Sequence, residues 1–267
     1  MIFVTGATGY TGRWVLAQLL KRTQSVRCLV RETSLVDDLE HPNVSLVKGN
    51  LEDVNAWADA LTGVDVLLSV AHIQYAPFVI EACQRNGISR VVFLSSTWRF
   101  SKVMTPVVEA VIRGEAAVEA SGLDYTILRP TMIYGPGDDR NLARLRAFMK
   151  RSPIMPIFGS GAQYVQPVFV VDVAKVAVDA LFCDGAIGKG FELGGGSVLT
   201  YNEMIDILSQ SLTRLLVKVH IPISVGLMLA FIGNRLLARF PIQEDQVRRM
   251  KESRAYDISE AKAVLRF

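Results

Sequence analysis

A chain of 267 residues, half of them hydrophobic, can bury a full core as one doubly wound domain with an appendage, so neither a disulfide framework nor a metal is needed to hold it. Twenty-nine basic against twenty-six acidic residues give a net charge of +3, too even to imply a nucleic-acid partner, and no basic run is interleaved with aromatics. The cysteines Cys28, Cys83 and Cys183 lie far apart in apolar stretches and read as small core residues in a reducing compartment, with no metal site.

The chain opens on an apolar strand, Met1 to Thr5, that runs into Gly6, Gly9 and Gly12 and then a helical pattern from Arg13 to Leu20. Strand, glycine loop and helix in this order bring a dinucleotide's pyrophosphate onto a helix N-terminus, with Gly6, Thr8, Gly9, Tyr10, Thr11 and Gly12 as candidate contacts. A side chain at Gly6 or Gly9 is expected to block the ligand's approach, and one at Gly12 to hold helix and strand apart. The next strand, 25–31, ends in Arg31, nineteen residues beyond the third glycine. An acid there would accept hydrogen bonds from a ribose, whereas an arginine suits a 2′-phosphate, so the cofactor expected is NADP(H) over NAD(H). Arg13, one turn into the helix, could reinforce this.

Further strands at 44–48, 64–70, 90–96 and 124–130 alternate with helical patterns around 54–61, 77–86 and 106–120, the form of successive right-handed βαβ units in a buried parallel sheet. With a strand of the fold at the start, no cleavable signal is expected before it, and a cytoplasmic location is expected. Ligands of such sheets sit outside the carboxyl ends of the strands. Those ends hold Asn50, Leu51, Val70, Ala71, His72, Ser95, Ser96, Pro130, Met132 and Ile133. Asn50 can serve an adenine and Ala71 lets backbone lie against a ribose, while His72 reads as a hydrogen-bonded structural histidine before an acid or base.

Beyond Pro130 come a turn-rich stretch at 134–141, a basic helix at 142–151, a return at 166–174 into a helix, and a last sheet strand at 191–194. Thr200 is expected to cap a helix from Tyr201 to Leu212. The apolar run Ile221 to Gly233 falls short of the ~20 residues of a bilayer span and reads as a buried or domain-covering helix. A monotopic membrane contact is the alternative, because Arg214, Lys218, Arg235 and Arg239 flank the run. The expected division is a nucleotide-binding domain at 1–130 with 166–195, and a small cap or substrate domain at 131–165 with 196–267.

Thr5-Gly-Ala-Thr-Gly-Tyr-Thr-Gly12, Phe93-Leu-Ser-Ser96, Ser121-Gly-Leu-Asp-Tyr-Thr-Ile-Leu-Arg-Pro130, Ile133-Tyr-Gly-Pro136 and Val171-Asp-Val-Ala174 follow one another in order. In these motifs the chain resembles the extended or atypical short-chain dehydrogenase/reductase superfamily, in particular its NmrA-like and complex I accessory-subunit-like branches. The resemblance implies an α/β Rossmann sheet, a dinucleotide, and a serine after the fifth strand that works with a tyrosine and a lysine one helical turn apart. Ser96 or Ser95 stands for the serine. Counting back from Ser121-Gly122, the tyrosine and lysine positions are Val107 and Val111, which can donate no proton and are expected to pack on apolar neighbours. Lys102 and Tyr134 are weak substitutes as catalytic groups.

The function expected is therefore that of an NADP(H)-binding, atypical member acting as a redox sensor or assembly factor. The alternatives are a reductase or epimerase on a small or nucleotide-linked substrate held between Tyr134, Arg140, Arg144 and the cap, or a quinone-linked oxidoreductase. Partners beyond the dinucleotide are a small molecule or a protein.

Overall fold

The β-branched segments pair as seven parallel strands in a computed structural model of the chain, which describes residues 1–22, 25–137, 139, 142–236 and 243–267. In chain order β1 (Ile2–Thr5), α1 (Tyr10–Leu19), β2 (Val26–Val30), β3 (Val44–Lys48), β4 (Val66–Ser69), α2 (Ala76–Asn86), β5 (Arg90–Leu94), α3 (Pro106–Glu119) and β6 (Asp124–Pro130) keep the expected alternation. There follow β7 (Ile133–Tyr134), α4 (Leu142–Arg151), β8 (Ile154–Phe158), β9 (Tyr164–Val165), β10 (Val168–Phe169), α5 (Val170–Leu181) and β11 (Lys189–Leu193). The chain ends with β12 (Leu199–Thr200), α6 (Tyr201–Ser211), β13 (Val217–Ile221), α7 (Ile223–Leu236), α8 (Glu244–Arg249) and α9 (Ser259–Leu265).

The sheet order is β11-β6-β5-β4-β1-β2-β3, so the chain leaves β1 in one direction and β4 in the other. Their loops diverge, and the crevice between them is where doubly wound sheets take ligands. Both faces of the sheet are covered, which is why its strands read as continuous apolar runs rather than alternating ones. Phe3, Leu67, Val91 and Ile127 face α2 and α3, while their neighbours Val4, Leu68, Val92 and Leu128 face α1 and α5.

The helix expected around 54–61 is instead two turns of 3-10 helix, Val54–Ala56 and Ala58–Leu61, broken at Trp57 with φ −139°. Trp57 is fully buried, its indole stacked on Phe3 with centroids 5.7 Å apart and its Nε1 donating to the Leu51 carbonyl at 3.3 Å. Burying that ring outweighs helix propensity, because an indole removes ~200 Å² from water.

A separate apolar cluster of Met149, Met155, Ile157, Val165, Met204 and Ile205 joins α4, β8, β9 and α6. Thr200 caps α6 as expected, in a reciprocal box in which its hydroxyl accepts from the Glu203 N–H at 3.2 Å and the Glu203 carboxylate accepts from the Thr200 N–H at 2.7 Å. The last helix departs from the expected division, which put all of 196–267 in the cap. Ala261 and Leu265 of α9 lie in the core under the sheet beside α5 and β11.

Candidate cofactor and catalytic site

The three glycines do different jobs. Gly6 has φ +76°, and a Cβ on it would stand 2.5 Å from the Ala71 backbone nitrogen. Besides the ligand-facing role expected of it, Gly6 is under an internal constraint, because the loops after β1 and β4 touch there. A Cβ on Gly12 would lie 2.1 Å from the Gly6 carbonyl oxygen, so close packing of helix on loop leaves it no room. Gly9 is exposed, with φ −74°, and an added Cβ would meet only the Gly6 oxygen, at 3.2 Å. The space beyond Gly9 is open, at the N-terminus of α1. That terminus has no side-chain cap and no acid in its first turn, which leaves its N–H donors and positive dipole end for an anion. A pyrophosphate fits this cradle.

The other predicted residues lie past the carboxyl ends of the neighbouring strands or in the first turn of α1. Arg31 is exposed just past β2 and makes no ion pair among the described residues, whereas its neighbour Glu32 is drawn to Lys48 at 3.5 Å. Arg13 is paired with Asp38 at 2.7 Å, so it is less available to a phosphate than its position suggests. Asn50 turns its carboxamide oxygen onto the Glu52 N–H at 3.3 Å, and Leu51 accepts from Trp57. Val70 and Ala71 are half-buried beside Gly6. His72 caps a 3-10 turn, its Nδ1 accepting from the Gln74 N–H at 3.2 Å, and burial lowers its pKa. That bond puts the ring proton on Nε2 and ties the Nδ1 side of the imidazole to the turn.

Tyr10 reaches from the loop toward the turn after β7. Its hydroxyl is buried without a hydrogen-bond partner among the described residues, and desolvation with the nearby Asp139 charge raises its pKa. Pro130 is buried, Met132 packs on the cap cluster, and Ile133 packs on the sheet core, so the chain crosses between the two cores within three residues. Tyr134 is part-exposed, with its ring 5.6 Å from that of Phe169. Arg140, expected with Tyr134 and Arg144 around a substrate, lies outside the described residues.

Of the catalytic candidates, the two serines make hydrogen bonds within the fold and Lys102 is held by its backbone. Ser96 Oγ accepts from the Trp98 N–H at 3.3 Å and caps a 3-10 turn; Ser95 Oγ donates to Glu115. Lys102 is exposed, and its backbone N–H, with those of the loop around it, is held by the Glu252 carboxylate at 2.6 Å. On α3, Val111 is 1% exposed and packed as expected, but Val107 is 44% exposed and is not. Val107 belongs to the first turn of α3, and Phe100 and Met104, just before it in the chain, are also exposed.

One turn beyond Val111, sequence reading missed a buried charge cluster. Glu115 is inaccessible to solvent, with its carboxylate taking Arg129 Nε at 2.9 Å and Nη2 at 2.8 Å, and Arg99 Nε at 3.1 Å. Arg129 also reaches Glu192 at 3.2 Å. Burial opposes the guanidinium's charge, but hydrogen bonding and attraction from Glu115, then Glu192, win and raise its pKa. A signal was present: Val111, Glu115 and Val118 fall at helical spacing on one buried face, and Arg129 interrupts the apolar run of β6.

The fold and this edge define a dinucleotide-binding Rossmann protein. Residues 6–154 match the family described as NAD(P)H-binding, and the chain belongs to that family, within the extended short-chain dehydrogenase/reductase-like group. It is 28% identical over 275 residues to the mitochondrial NADH dehydrogenase (ubiquinone) 1 alpha subcomplex subunit 9 of Arabidopsis thaliana, covering 91% of this chain and 66% of that one. It thus spans just under two thirds of that relative's length. It is 32% identical over 228 residues to a (4-alkanoyl-5-oxo-2,5-dihydrofuran-3-yl)methyl phosphate reductase of Streptomyces griseus, covering 80% and 74%. Its fold is shared with an NADPH-dependent quinone oxidoreductase of Escherichia coli, solved with NADPH, at a TM-score of 0.78 and 21% identity over 99% of this chain and 94% of that one.

Proposed function

We propose that this protein binds NADP(H) at the crevice between β1 and β4 and acts as a redox sensor or assembly factor, without the Tyr/Lys proton transfer of ordinary carbonyl reduction. The observation that carries the reading is on α3: Val107 and Val111 occupy the positions that the resemblance, counted back from Ser121-Gly122, assigns to a tyrosine and a lysine, and the first titratable group on the buried face, Glu115, is committed to two arginines. Bound here, a nicotinamide dinucleotide supplies a hydride. The chain's own residues hold the pyrophosphate at Gly9 and α1 and place Arg31 for a 2′-phosphate, and the cofactor stabilises the fold by mass action.

Arg31 sets cofactor choice. A charge-assisted contact is worth about 1.5–3 kcal/mol, so NADPH is expected to bind about 10- to 100-fold tighter than NADH. Fluorescence titration with both cofactors checks this. Arg31→Asp should reverse the preference and Arg13→Ala should change it less, since Arg13 already spends its charge on Asp38. Equal affinities in the unmodified protein would sink the assignment.

A second reading rests on three exposed apolar residues close together in the chain, Phe100, Met104 and Val107: hydride delivery to an apolar quinone, which needs less help from a proton donor. Single-turnover oxidation of bound NADPH, followed at its absorbance band, separates the two. General acid–base help is typically worth 10²–10⁴-fold, so aldehydes and ketones should oxidise it barely at all. Rapid oxidation by any carbonyl would overturn the sensor reading; oxidation confined to quinones would select the second. Loss of a carbonyl rate in Lys102→Ala or Tyr134→Phe would then identify the acid.

A further inference from the structure

The helix expected to be buried, α7, packs on the body with its small residues and turns its large ones outward. Gly226, Ala230 and Gly233 face inward, and a Cβ on Gly226 would already stand 2.5 Å from the Phe158 ring and 3.0 Å from Val247. So tight a seat leaves no place for bulk on that side. Val225, Met228, Leu229, Phe231, Ile232 and Leu236 therefore share the solvent side, with Phe231 49% and Leu236 76% exposed. At ~100° per residue these six span an arc of roughly 160°. Contiguous exposed apolar surface of this kind marks an interaction site.

Its charges identify the occupant. The sequence has no acidic residue from Ile207 to Gln243, and α7 carries one charge, Arg235, whose guanidinium lies 4.9 Å over the Phe231 ring with its stem along the apolar face. In-register Ile154, Val217 and Val219 extend exposed apolar surface along β8 and β13, back to a turn where Arg214 donates to the Lys150 carbonyl beside Arg151. The acids nearest these elements are held by cations, Asp206 by Lys218, Glu244 by Arg248 and Asp245 by Arg249. A second copy of the chain docked on this face would set cation against cation. An anionic bilayer surface answers both the charge and the apolar arc. The described part of α7 has 14 residues, about 21 Å at 1.5 Å each against ~30 Å of hydrocarbon, and among the described residues no helix is long and apolar enough to span a membrane.

We propose that α7 is an interfacial helix that holds this protein against an anionic membrane, lying in the surface plane with Met228, Phe231 and Ile232 immersed and Arg235, Arg151 and Arg214 at the headgroups. The inference is independent of cofactor choice and of turnover. Sedimentation of the full chain with phosphatidylcholine/phosphatidylglycerol vesicles tests it, with phosphatidylcholine vesicles as the neutral comparison. Strong binding to the anionic vesicles, weakened several-fold in 0.5 M salt, is expected. Met228→Asp/Ile232→Asp should reduce it more than tenfold while circular dichroism and NADPH binding stay unchanged. Arg151→Glu/Arg235→Glu should also cost at least tenfold, each basic residue near the surface being worth about fivefold. No sedimentation of the unmodified chain, or equal binding to neutral vesicles, would overturn the proposal. So would a dimer in solution that Met228→Asp/Ile232→Asp converts to a monomer, since the face would then belong to a second copy.

Discussion

A Gly9→Val chain is expected to fold and to have lost its dinucleotide, whereas a Gly12→Val chain is expected not to reach the native state. The two glycines lie three residues apart in one loop, and what separates them is where an added side chain goes. At Gly9 the backbone is extended and the Cβ must only ease 3.2 Å from the Gly6 oxygen, after which the branches occupy the open space above the N-terminus of α1. That is the volume a pyrophosphate needs, so binding should fall more than 100-fold with the melting temperature little changed in the absence of cofactor. At Gly12 the Cβ would sit 2.1 Å from the same oxygen and 2.8 Å from the Ala7 Cα, so helix and loop must separate. Overpacking of a core costs ~1–3 kcal/mol when side chains can yield, and here the neighbours are backbone. Circular dichroism melts and NADPH titrations on both variants check the pair, and unimpaired binding by folded Gly9→Val would refute the placement of the phosphate.

Replacing Glu115 by alanine should destabilise the protein by about 3–5 kcal/mol, because it strands a buried guanidinium. Arg129 would keep Glu192 at 3.2 Å, which sets the loss toward the lower end of that range, while Ser95 would lose its acceptor. For a chain of this size the melting temperature should drop by on the order of 10 °C. The paired change Glu115→Leu/Arg129→Met should recover most of the loss, since exchanging a buried ion pair for apolar side chains is often close to neutral. Thermal melts of the single and double variants decide it. A Glu115→Ala protein as stable as the unmodified one would show that water reaches the cluster and that the pair contributes nothing to folding. If the double variant also keeps its NADPH affinity, the cluster supports the sheet edge without touching the cofactor.

The sequence by itself determined the order of strands and helices, the parallel sheet and the glycine loop, because these are written in local signals. Apolar runs of strand length, helical spacing, a Thr200/Glu203 cap and glycines three apart are all readable within a dozen residues. Only the tertiary structure decided what each of those residues touches. Trp57 broke a helix that its own neighbours favour, since the ring's partner, Phe3, is a strand distant in sequence. Glu115 met Arg129 and Arg99 across two strand ends, and Ser95 and Ser96 were drawn into hydrogen bonds, Ser95 donating to Glu115 and Ser96 accepting from the Trp98 N–H. The same limit applied to α7: its hydrophobicity was plain, but which side faced the body depended on how closely Phe158 and Val247 approach Gly226, a distance no local pattern encodes. A segment's periodicity states that a face is apolar, whereas burial is a property of whatever the rest of the chain brings against it.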